Sequence, residues 1–274
     1  MTEQAARYDR IATGYARWWA PVLVPQAAAL LEWLEPAVAA GARRLIDIGT
    51  GSGTLALAAI RRWPTVEVVG IDASSGMEAL ATIEADRRLS PADRGRFETR
   101  VAFADGLPFP DGSFDAAMSS FVFQLVPNRA RAIREAHRVL RPGGLLAYVS
   151  WLRDDRIFRP DVEFDAVLDE IGIGAREEGD DRPGDIPSME AAGTQMRRAG
   201  FRDVRAERAM LEHPFSVEGY IRFMAEFDEE DLVASLETEE RERLLRRLRS
   251  RLKALPADAL VLRLPVVSVS GVRS

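Results

Sequence analysis

The chain has 274 residues, of which 47% are hydrophobic, and a formal net charge of −6 at pH 7. This length suffices for one substantial core, and the acidic balance argues against a nucleic-acid partner, which would be bound through clustered lysine and arginine. The absence of cysteine excludes disulfides, thiolate nucleophiles and cysteine-rich zinc sites, and two histidines are too few for a histidine metal site.

The first forty residues carry a helical pattern. Residues 25–39 place apolar side chains at helical spacing, at Leu30, Leu31, Leu34 and Val38. The opening "MTEQAARYDR" lacks the apolar stretch of a secretory signal, and no run of 18 or more apolar residues is present to span a bilayer. We therefore expect a cytoplasmic protein without a membrane span.

Strand and helix patterns then alternate as far as Trp151. Short apolar runs predict five strands, in "RLIDIG", "VEVVGID", "FETRVAFAD", "FDAAMSSFVFQL" and "LLAYVSW". Helical patterns are found in "TLALAAIRRW", "SSGMEALATIEADRRL" and "RARAIREAHRVLRPGG", the last ended by its proline and glycines. Strict alternation of this kind predicts a parallel sheet with helices on both faces.

The pattern changes after Trp151. Residues 152–186 are strongly charged and lack a strand signal, which predicts an insertion or cap above the sheet. A helix, "SMEAAGTQMRRAG", a strand around "DVRAERAML", two helical stretches and a final strand, "ALVLRLPVVSVSGV", follow. We predict one α/β domain over 1–274, doubly wound around a mostly parallel seven-stranded sheet. Its parts are N-terminal helices (1–40), a cofactor-binding core (41–151), the insertion (152–186) and a C-terminal part with a helical cap (187–274).

The ends of the first three strands carry the residues that point to a ligand. Gly49, Gly51 and Gly53 follow the first strand, Asp72 ends the second and Asp105 ends the third. In an open parallel sheet the ligand binds beyond the carboxyl ends of the strands, and glycines let the backbone approach it closely. A carboxylate there accepts hydrogen bonds from ribose hydroxyls, and the next one can address an adenine amino group. The pattern predicts an adenosine-like ligand.

The glycine spacing differs from the dinucleotide fingerprint, because the third glycine comes one residue early and Asp47 stands two residues before the first. This motif resembles that of the class I S-adenosylmethionine-dependent methyltransferases with a Rossmann-like fold. The segments "VVGIDAS", "FADGLPFPDGSFDAAMSSFVFQLV" and "EAHRVLRPGGLLAYVSW" are similar to that family in the same order. With "RYDRIATGYARWW", which resembles a helix that closes over the cofactor, the resemblance covers roughly 7–151. It favours the small-molecule branch of ubiquinone and menaquinone biosynthesis methyltransferases.

The resemblance implies S-adenosylmethionine as cofactor, S-adenosylhomocysteine as product and a small-molecule acceptor methylated at oxygen, carbon or nitrogen. By this resemblance, the glycine loop wraps the methionine part of the cofactor, and Asp47 orients that loop or reaches the amino group of the cofactor. Ser119 and Ser120 lie near the methionine end. Tyr8 and Tyr15 cover the cofactor, and Met77 packs near the adenine. The implied cofactor-binding residues are Tyr8, Tyr15, Asp47, Gly49, Gly51, Gly53, Asp72, Ala73, Met77, Asp105, Gly106, Leu107, Ser119 and Ser120.

The chemistry of transfer leaves one candidate base. Many relatives carry histidine where this chain has "FVFQLVPN", so Gln124 or Leu125 replaces an imidazole. His213, which follows the sixth predicted strand, is the candidate catalytic residue, whereas His137 lies in a helix away from the ligand face. The acids of the insertion, Glu177, Glu178, Asp180 and Asp181, are typical of a solvated face. We expect the acceptor pocket between the N-terminal helix, the insertion and the helices near 216–254.

Two other functions stay open at this point. A nicotinamide-dependent oxidoreductase shares the strand, glycine and aspartate plan, but the glycine spacing opposes it and Lys253 is the sole lysine. A protein with this fold can also bind the cofactor, or have lost it, and act as a partner or regulator. The oligomeric state, including a homodimer, is equally open.

Overall fold

The computed structural model describes residues 3–173 and 184–274. The strands are β1 Arg44–Ile48, β2 Glu67–Asp72, β3 Phe97–Val101, β4 Phe114–Ser120, β5 Leu140–Trp151, β6 Phe201–Pro214 and β7 Val261–Arg273. The α-helices are α1 Glu3–Gly14, α2 Ala20–Ala39, α3 Thr54–Arg62, α4 Ser75–Arg88, α5 Pro91–Arg94, α6 Arg129–Val139, α7 Arg159–Ile171, α8 Met189–Arg198, α9 Val217–Phe223, α10 Glu230–Ser235 and α11 Thr238–Ala254. Two π-helical turns, Tyr15–Trp19 and Met224–Asp228, and a 3-10 turn, Ala257–Leu260, join some of them.

The seven strands form one sheet in the order β3-β2-β1-β4-β5-β7-β6. The first five strands are parallel, and β7 runs antiparallel between β5 and β6. One apolar layer packs α2 and α3 on one face of the sheet, and a second packs α6 and α8 on the other. The predicted α/β class and the mostly parallel seven-stranded sheet are confirmed.

The crossover from β3 to β4 departs from the predicted alternation. It contains no helix, and the chain runs through residues 102–113 as an irregular loop. Its sequence, "AFADGLPFPDGS", interrupts any helical period with two prolines and two glycines. Strand β3 therefore stops at Val101, and Asp105 lies in the loop instead of ending the strand.

Two further boundaries differ from expectation. Strand β5 begins at Leu140, so the "RPGG" segment lies inside it, and a register shift between Phe114 and Ala116 of β4 accommodates the irregular pairing. The predicted insertion contains a helix, α7, whose apolar side chains are buried among those of α9 and α11. Residues 174–183 lie outside the described part of the chain.

The N-terminal helices and the C-terminal cap pack on each other through their π-helical turns. The Trp18 indole Nε1 donates a hydrogen bond of 3.0 Å to Glu226 Oε2, and the rings of Tyr15 and Phe227 meet edge to face with centroids 6.3 Å apart. A Cβ on Gly14 would lie 2.9 Å from the Glu226 carbonyl oxygen, so glycine permits this close approach. The N-terminal helices and the cap thus form one helical layer over the sheet.

This layer contains one long apolar helical run. The continuous helical run Ala6–Ala39 is long and apolar enough, by length and composition alone, to cross a membrane. Polar residues interrupt it, so it contains no unbroken run of 18 apolar residues. In the fold α2 packs against α3 and β5, burying Leu30, Leu31 and Leu34.

Candidate functional site

A cavity opens at the carboxyl ends of β1, β2 and β4, beneath α1. It encloses about 910 Å³, counting the part open to solvent. Its walls are Tyr8, Tyr15, Gly49, Gly51, Ile71, Asp72, Ala73, Ser74, Met77, Ala102, Phe103, Ala104, Asp105, Ser120, Phe121, Val122, Leu125, Val126 and Pro127. A smaller cavity of about 370 Å³ adjoins it and shares Tyr15, Gly49, Gly51 and Ser120.

The glycine loop is held against the end of β2. The backbone N–H groups of Gly49 and Thr50 both donate to the Ile71 carbonyl oxygen at 2.8 Å. Gly49 has φ +73°, and a Cβ there would lie only 2.2 Å from Val122 Cγ2. Only glycine fits between the loop and the segment after β4. Gly53, with φ +79°, ends the loop at the start of α3 and does not line either cavity.

Asp72 connects three parts of the site. Its Oδ2 accepts a hydrogen bond from the Gly51 N–H at 2.9 Å, and its Oδ1 accepts from the Ser74 N–H at 2.9 Å. Burial raises the pKa of this carboxyl, while the hydrogen bonds oppose the shift. Each oxygen has a further lone pair, and the side chain lines the larger cavity. Asp72 can therefore accept additional hydrogen bonds from a ligand.

Asp47 lines the smaller cavity and has one buried carboxylate oxygen without a partner. The side chain is 1% exposed; its Oδ2 accepts from the Thr50 hydroxyl at 2.9 Å, and its Oδ1 is buried without a partner. Burial raises the pKa of Asp47 to about 7, against the opposing hydrogen bonds, and Asp72 raises it further. A buried acceptor without a donor is costly, so a cation or donor in the cavity would satisfy it.

The loop after β3 forms another wall of the larger cavity. Asp105, Ala104 and the 40% exposed Phe103 line it, and Met77 of α4 lines it from a buried position. Gly106 and Leu107, predicted to read an adenine, are not among the lining residues, and Leu107 is buried in the core. The loop thus presents Asp105 and leaves its next two residues to structural contacts.

Two tyrosines stand over the glycine loop. Tyr15 lies in the first π-helical turn, a conformation frequent at functional sites, and lines both cavities. The Tyr8 ring meets it edge to face with centroids 5.8 Å apart. Burial raises the pKa of both hydroxyls, and the neighbouring Asp72 raises them further. Both groups are therefore protonated donors at neutral pH.

The two serines predicted at the end of β4 have different surroundings. Ser120 lines both cavities. Ser119 is fully buried, and its hydroxyl donates to the Ile48 carbonyl oxygen at 2.8 Å, which directs it away from the cavities. Successive strand residues point to opposite faces, so only one of such a pair can face the ligand.

His213 lies at the same edge of the sheet but away from the cavities. It is near the end of β6, opposite Leu262, three positions along the sheet from β4. Its ring meets Phe215 edge to face with centroids 4.6 Å apart, and burial lowers its pKa, so it is neutral at pH 7. The two cavities include no part of it. His137 packs on Phe201 on the far side of the sheet.

Of the segments expected to enclose an acceptor, the described part of the insertion and the helices near 216–254 line neither cavity, whereas Tyr8 and Tyr15 of the N-terminal helices do. Between the N-terminal helices and the cap, Trp19 packs against Phe223 and Phe227, with ring centroids 5.6 and 6.5 Å apart. The apolar side chains of the cap and of α7 fill this space themselves. The acids Glu177, Glu178, Asp180 and Asp181 lie outside the described residues.

The sequence did not predict the cavity wall formed by the turn after β4. Phe121 lines the larger cavity with φ +57°, in the left-handed region that is uncommon for an aromatic residue. It turns the chain after β4, so that Val122 faces Gly49 and Leu125, Val126 and Pro127 form an apolar rim. Nothing in its residue type signals this turn.

A second missed residue is Asp9 of α1. Its Oδ1 accepts hydrogen bonds from the Ser74 hydroxyl at 2.6 Å and the Gly76 N–H at 2.9 Å. These bonds lower the pKa of Asp9 and tie α1 to the start of α4. An acidic residue beside Tyr8 in "RYDR" was the only available signal.

Comparison with known proteins agrees with this geometry. A family model described as a methyltransferase domain matches residues 46–148. A ubiquinone/menaquinone biosynthesis C-methyltransferase from Geobacter sp. (strain M21) is 34% identical over 175 residues, which cover 60% of this chain and 73% of that protein. A malonyl-(acyl-carrier protein) O-methyltransferase from Geobacter sulfurreducens is 31% identical over 201 residues, which cover 73% of this chain and 67% of that protein.

A solved structure shares the fold. Phosphoethanolamine N-methyltransferase 2 of Haemonchus contortus, in complex with S-adenosyl-L-methionine, superposes with a TM-score of 0.53 at 20% identity, covering 91% of this chain and 52% of that one. The two relatives are similar over most of their own length, and the residues matched by the family model include the glycine loop and the ends of β1, β2 and β4. The chain belongs to the class I S-adenosylmethionine-dependent methyltransferases.

Proposed function

We propose that this methyltransferase acts on a small, uncharged and mainly apolar organic molecule. The observation that carries the proposal is the charge of the site. Asp47, Asp72 and Asp105 line the two cavities, whereas no arginine, lysine or histidine does so in the described part of the chain. Carboxylates attract a cationic cofactor, and an anionic acceptor would lack a partner for its charge.

The residues present fit the cofactor. The unpartnered Asp47 Oδ1 would accept from its ammonium group, Asp72 from its ribose hydroxyls and Asp105 from its adenine amino group. A Cβ on Gly51 would meet only the Tyr15 ring at 3.9 Å, so the backbone there is open to a ligand. When bound, S-adenosylmethionine supplies a methyl group activated on a sulfonium. Tyr8 and Tyr15 would cover it and exclude water.

The acceptor would lie on the rim formed after β4. Val122, Leu125, Val126 and Pro127 offer it an apolar surface, and Phe121 offers the edge or face of a ring. This surface favours a neutral ring, such as a quinol, over a malonyl group, whose free carboxylate needs a cation. Because no imidazole lines the cavity, alignment of acceptor and methyl group is the main contribution of these residues.

Cofactor binding is tested by calorimetric titration of the purified protein with S-adenosylmethionine, S-adenosylhomocysteine and NADH. We expect the first two to bind and NADH not to bind. Binding of NADH alone would contradict the assignment of the cavity. Binding of the cofactor without transfer to any acceptor would favour a partner or regulatory role instead.

The acceptor class is tested with a matched pair of compounds. Methyl transfer from labelled cofactor is measured to a hydroquinone and to the same ring carrying a carboxylate. We expect the neutral ring to have the higher kcat/KM. A preference for the carboxylate would overturn the proposal, and equal transfer to both would contradict the role of charge.

The remaining expectations concern the protein's surroundings. A cytoplasmic location, the lack of a nucleic-acid partner and an oligomer such as a homodimer remain predictions. Sedimentation velocity of the purified protein with and without cofactor would determine the last of these.

A further inference from the structure

The loop between β3 and β4 is held by side chains of α6. A crossover without a helix cannot satisfy its own backbone groups through regular secondary structure, so other groups must do so. At one end, the Ala102 N–H donates to the Asp72 carbonyl oxygen at 2.8 Å. A turn follows, in which the Gly106 N–H donates to the Phe103 carbonyl oxygen at 3.1 Å. Asp105 lies inside that turn.

Glu135 fixes the far end of the turn. Its Oε2 accepts a hydrogen bond of 2.9 Å from the Leu107 N–H, two residues after Asp105. The carboxylate also pairs with Arg138, through Oε1 at 2.9 Å and Oε2 at 2.8 Å. The Arg138 hydrogen bond and the Leu107 N–H lower the pKa of Glu135 despite its partial burial, so it is ionised at neutral pH.

Arg138 holds the same stretch through its guanidinium. Its NH2 group donates to the Leu107 carbonyl oxygen at 2.9 Å, and its NH1 group donates to the Phe109 carbonyl oxygen at 2.8 Å and to Asp111 at 2.9 Å. The planar fork of arginine serves these acceptors and Glu135 at once, which a lysine ammonium cannot do with the same geometry.

We propose that Glu135 and Arg138 are positioning residues that fix Asp105 against the adenine of the cofactor and so set the preference for adenine over other purines. Neither residue lines the cavity; they act through the backbone of Leu107 and Phe109. The inference rests on the placement of the adenine beside Asp105 proposed above. It also explains how an irregular loop can select a base: the hydrogen bonds from α6 hold the loop, and therefore Asp105, in one position.

The chain offers a matched control on α4. Glu84 and Arg87 form an ion pair at the same i,i+3 spacing, and the Glu84 side chain is 19% exposed compared with 20% for Glu135. Glu84 pairs with Arg87 and also with Arg88, and these partners lie on α4 itself and not in the loop 102–113. Loss of that pair removes a helix ion pair without touching the turn.

The test measures dissociation constants for S-adenosylhomocysteine and S-inosylhomocysteine, which differ at the purine 6-position. A charged hydrogen bond to the amino group predicts that the wild-type protein prefers adenine by about 10- to 100-fold. We expect Glu135→Ala and Arg138→Lys to reduce this ratio at least about threefold, a loss that lies within the range of one such bond. Glu135→Gln, which keeps an acceptor oxygen for Leu107, is expected to restore part of it, and Glu84→Ala to leave it unchanged.

A purely structural role would weaken both ligands equally and leave the ratio intact, which would overturn the proposal. If Glu135→Ala fails to fold, Arg138→Lys, which retains the charge, gives the same ratio measurement. A wild-type protein that binds both purines equally would overturn the adenine placement together with this inference. A wild-type preference that survives in Glu135→Ala and Arg138→Lys would overturn the positioning role alone.

Discussion

The backbone N–H of Gly51 donates to the carboxylate of Asp72 across 2.9 Å, joining the loop after one strand to the end of its parallel neighbour. The other oxygen of Asp72 accepts from Ser74 at the start of α4. The side chain proposed to hold the ribose therefore also sets the position of the glycine loop. Loss of this carboxylate should weaken ligand binding in two ways, by removing the contact with the ribose and by releasing the glycine loop.

Asp72→Ala should weaken the binding of S-adenosylmethionine by about 1–3 kcal/mol, the range for a lost charged hydrogen-bond partner. Calorimetry gives the dissociation constant directly. Asp86→Ala, which removes a surface carboxylate paired with Arg94, serves as the control and should change nothing. An unchanged dissociation constant in Asp72→Ala would contradict the ribose assignment.

Cofactor affinity should decrease as the pH falls below about 7. The pKa of Asp47 is raised to about 7, so below that pH the free protein is increasingly protonated there. Binding of an ammonium group requires the ionised carboxylate, so a proton must be released, and the affinity falls by up to about tenfold per pH unit. Asp72, whose pKa is also raised, acts in the same direction.

Asp47→Asn provides the control for this pH effect. The variant should bind more weakly at pH 7.5 and show a shallower dependence of the dissociation constant between pH 5.5 and 7. The pH dependence of the dissociation constant that remains in this variant would come from the titration of Asp72. If wild type and variant had equal slopes, Asp47 would not be the group that meets the ammonium.

Gly49→Ala should destabilise the fold by at least about 2 kcal/mol, because the new Cβ overlaps Val122 and the backbone is left-handed. Chemical denaturation measures the free energy of unfolding. Gly95→Ala, where the added Cβ meets only an ordinary contact of 3.7 Å, should be within about 0.5 kcal/mol of wild type. Equal stability of the two variants would mean that the loop can move away from Val122.

His213→Asn should keep kcat within about threefold of wild type, because the imidazole lies outside both cavities and packs on Phe215. A general base contributes about 10²- to 10⁴-fold, so the two outcomes are well separated. Steady-state kinetics with a saturating acceptor gives the answer. A fall of a hundredfold would make His213 the base and place the acceptor beside β6.

The sequence was most informative where function constrains the residue type. Gly49, Gly51 and Asp72 could be predicted because only glycine allows the loop geometry and because strand ends meet at one edge. Phe121 could not, since its left-handed backbone follows from the packing of its ring on Trp151, with centroids 4.2 Å apart. The turn after β4 is a property of tertiary structure.

The sequence was least informative where polar side chains replace regular structure. The loop after β3 was assigned to the strand as far as Asp105, because its apolar residues continue the strand pattern. The hydrogen bonds that hold the loop come from Glu135 and Arg138, which lie about thirty residues later and look like an ordinary surface pair. The helices near 216–254 were likewise expected to help enclose the acceptor, but their apolar side chains fill their own core.

The contact between Trp18 and Glu226 has a consequence for the newly made chain. Trp18 leaves the ribosome 208 residues before its partner. At about 5–20 residues per second, that interval lasts at least about 10 s. During it, the π-helical turn with Tyr15 lacks the cap on which it packs. If Tyr15 covers the cofactor as proposed, we expect a nascent chain to bind the cofactor more weakly until translation has passed the cap.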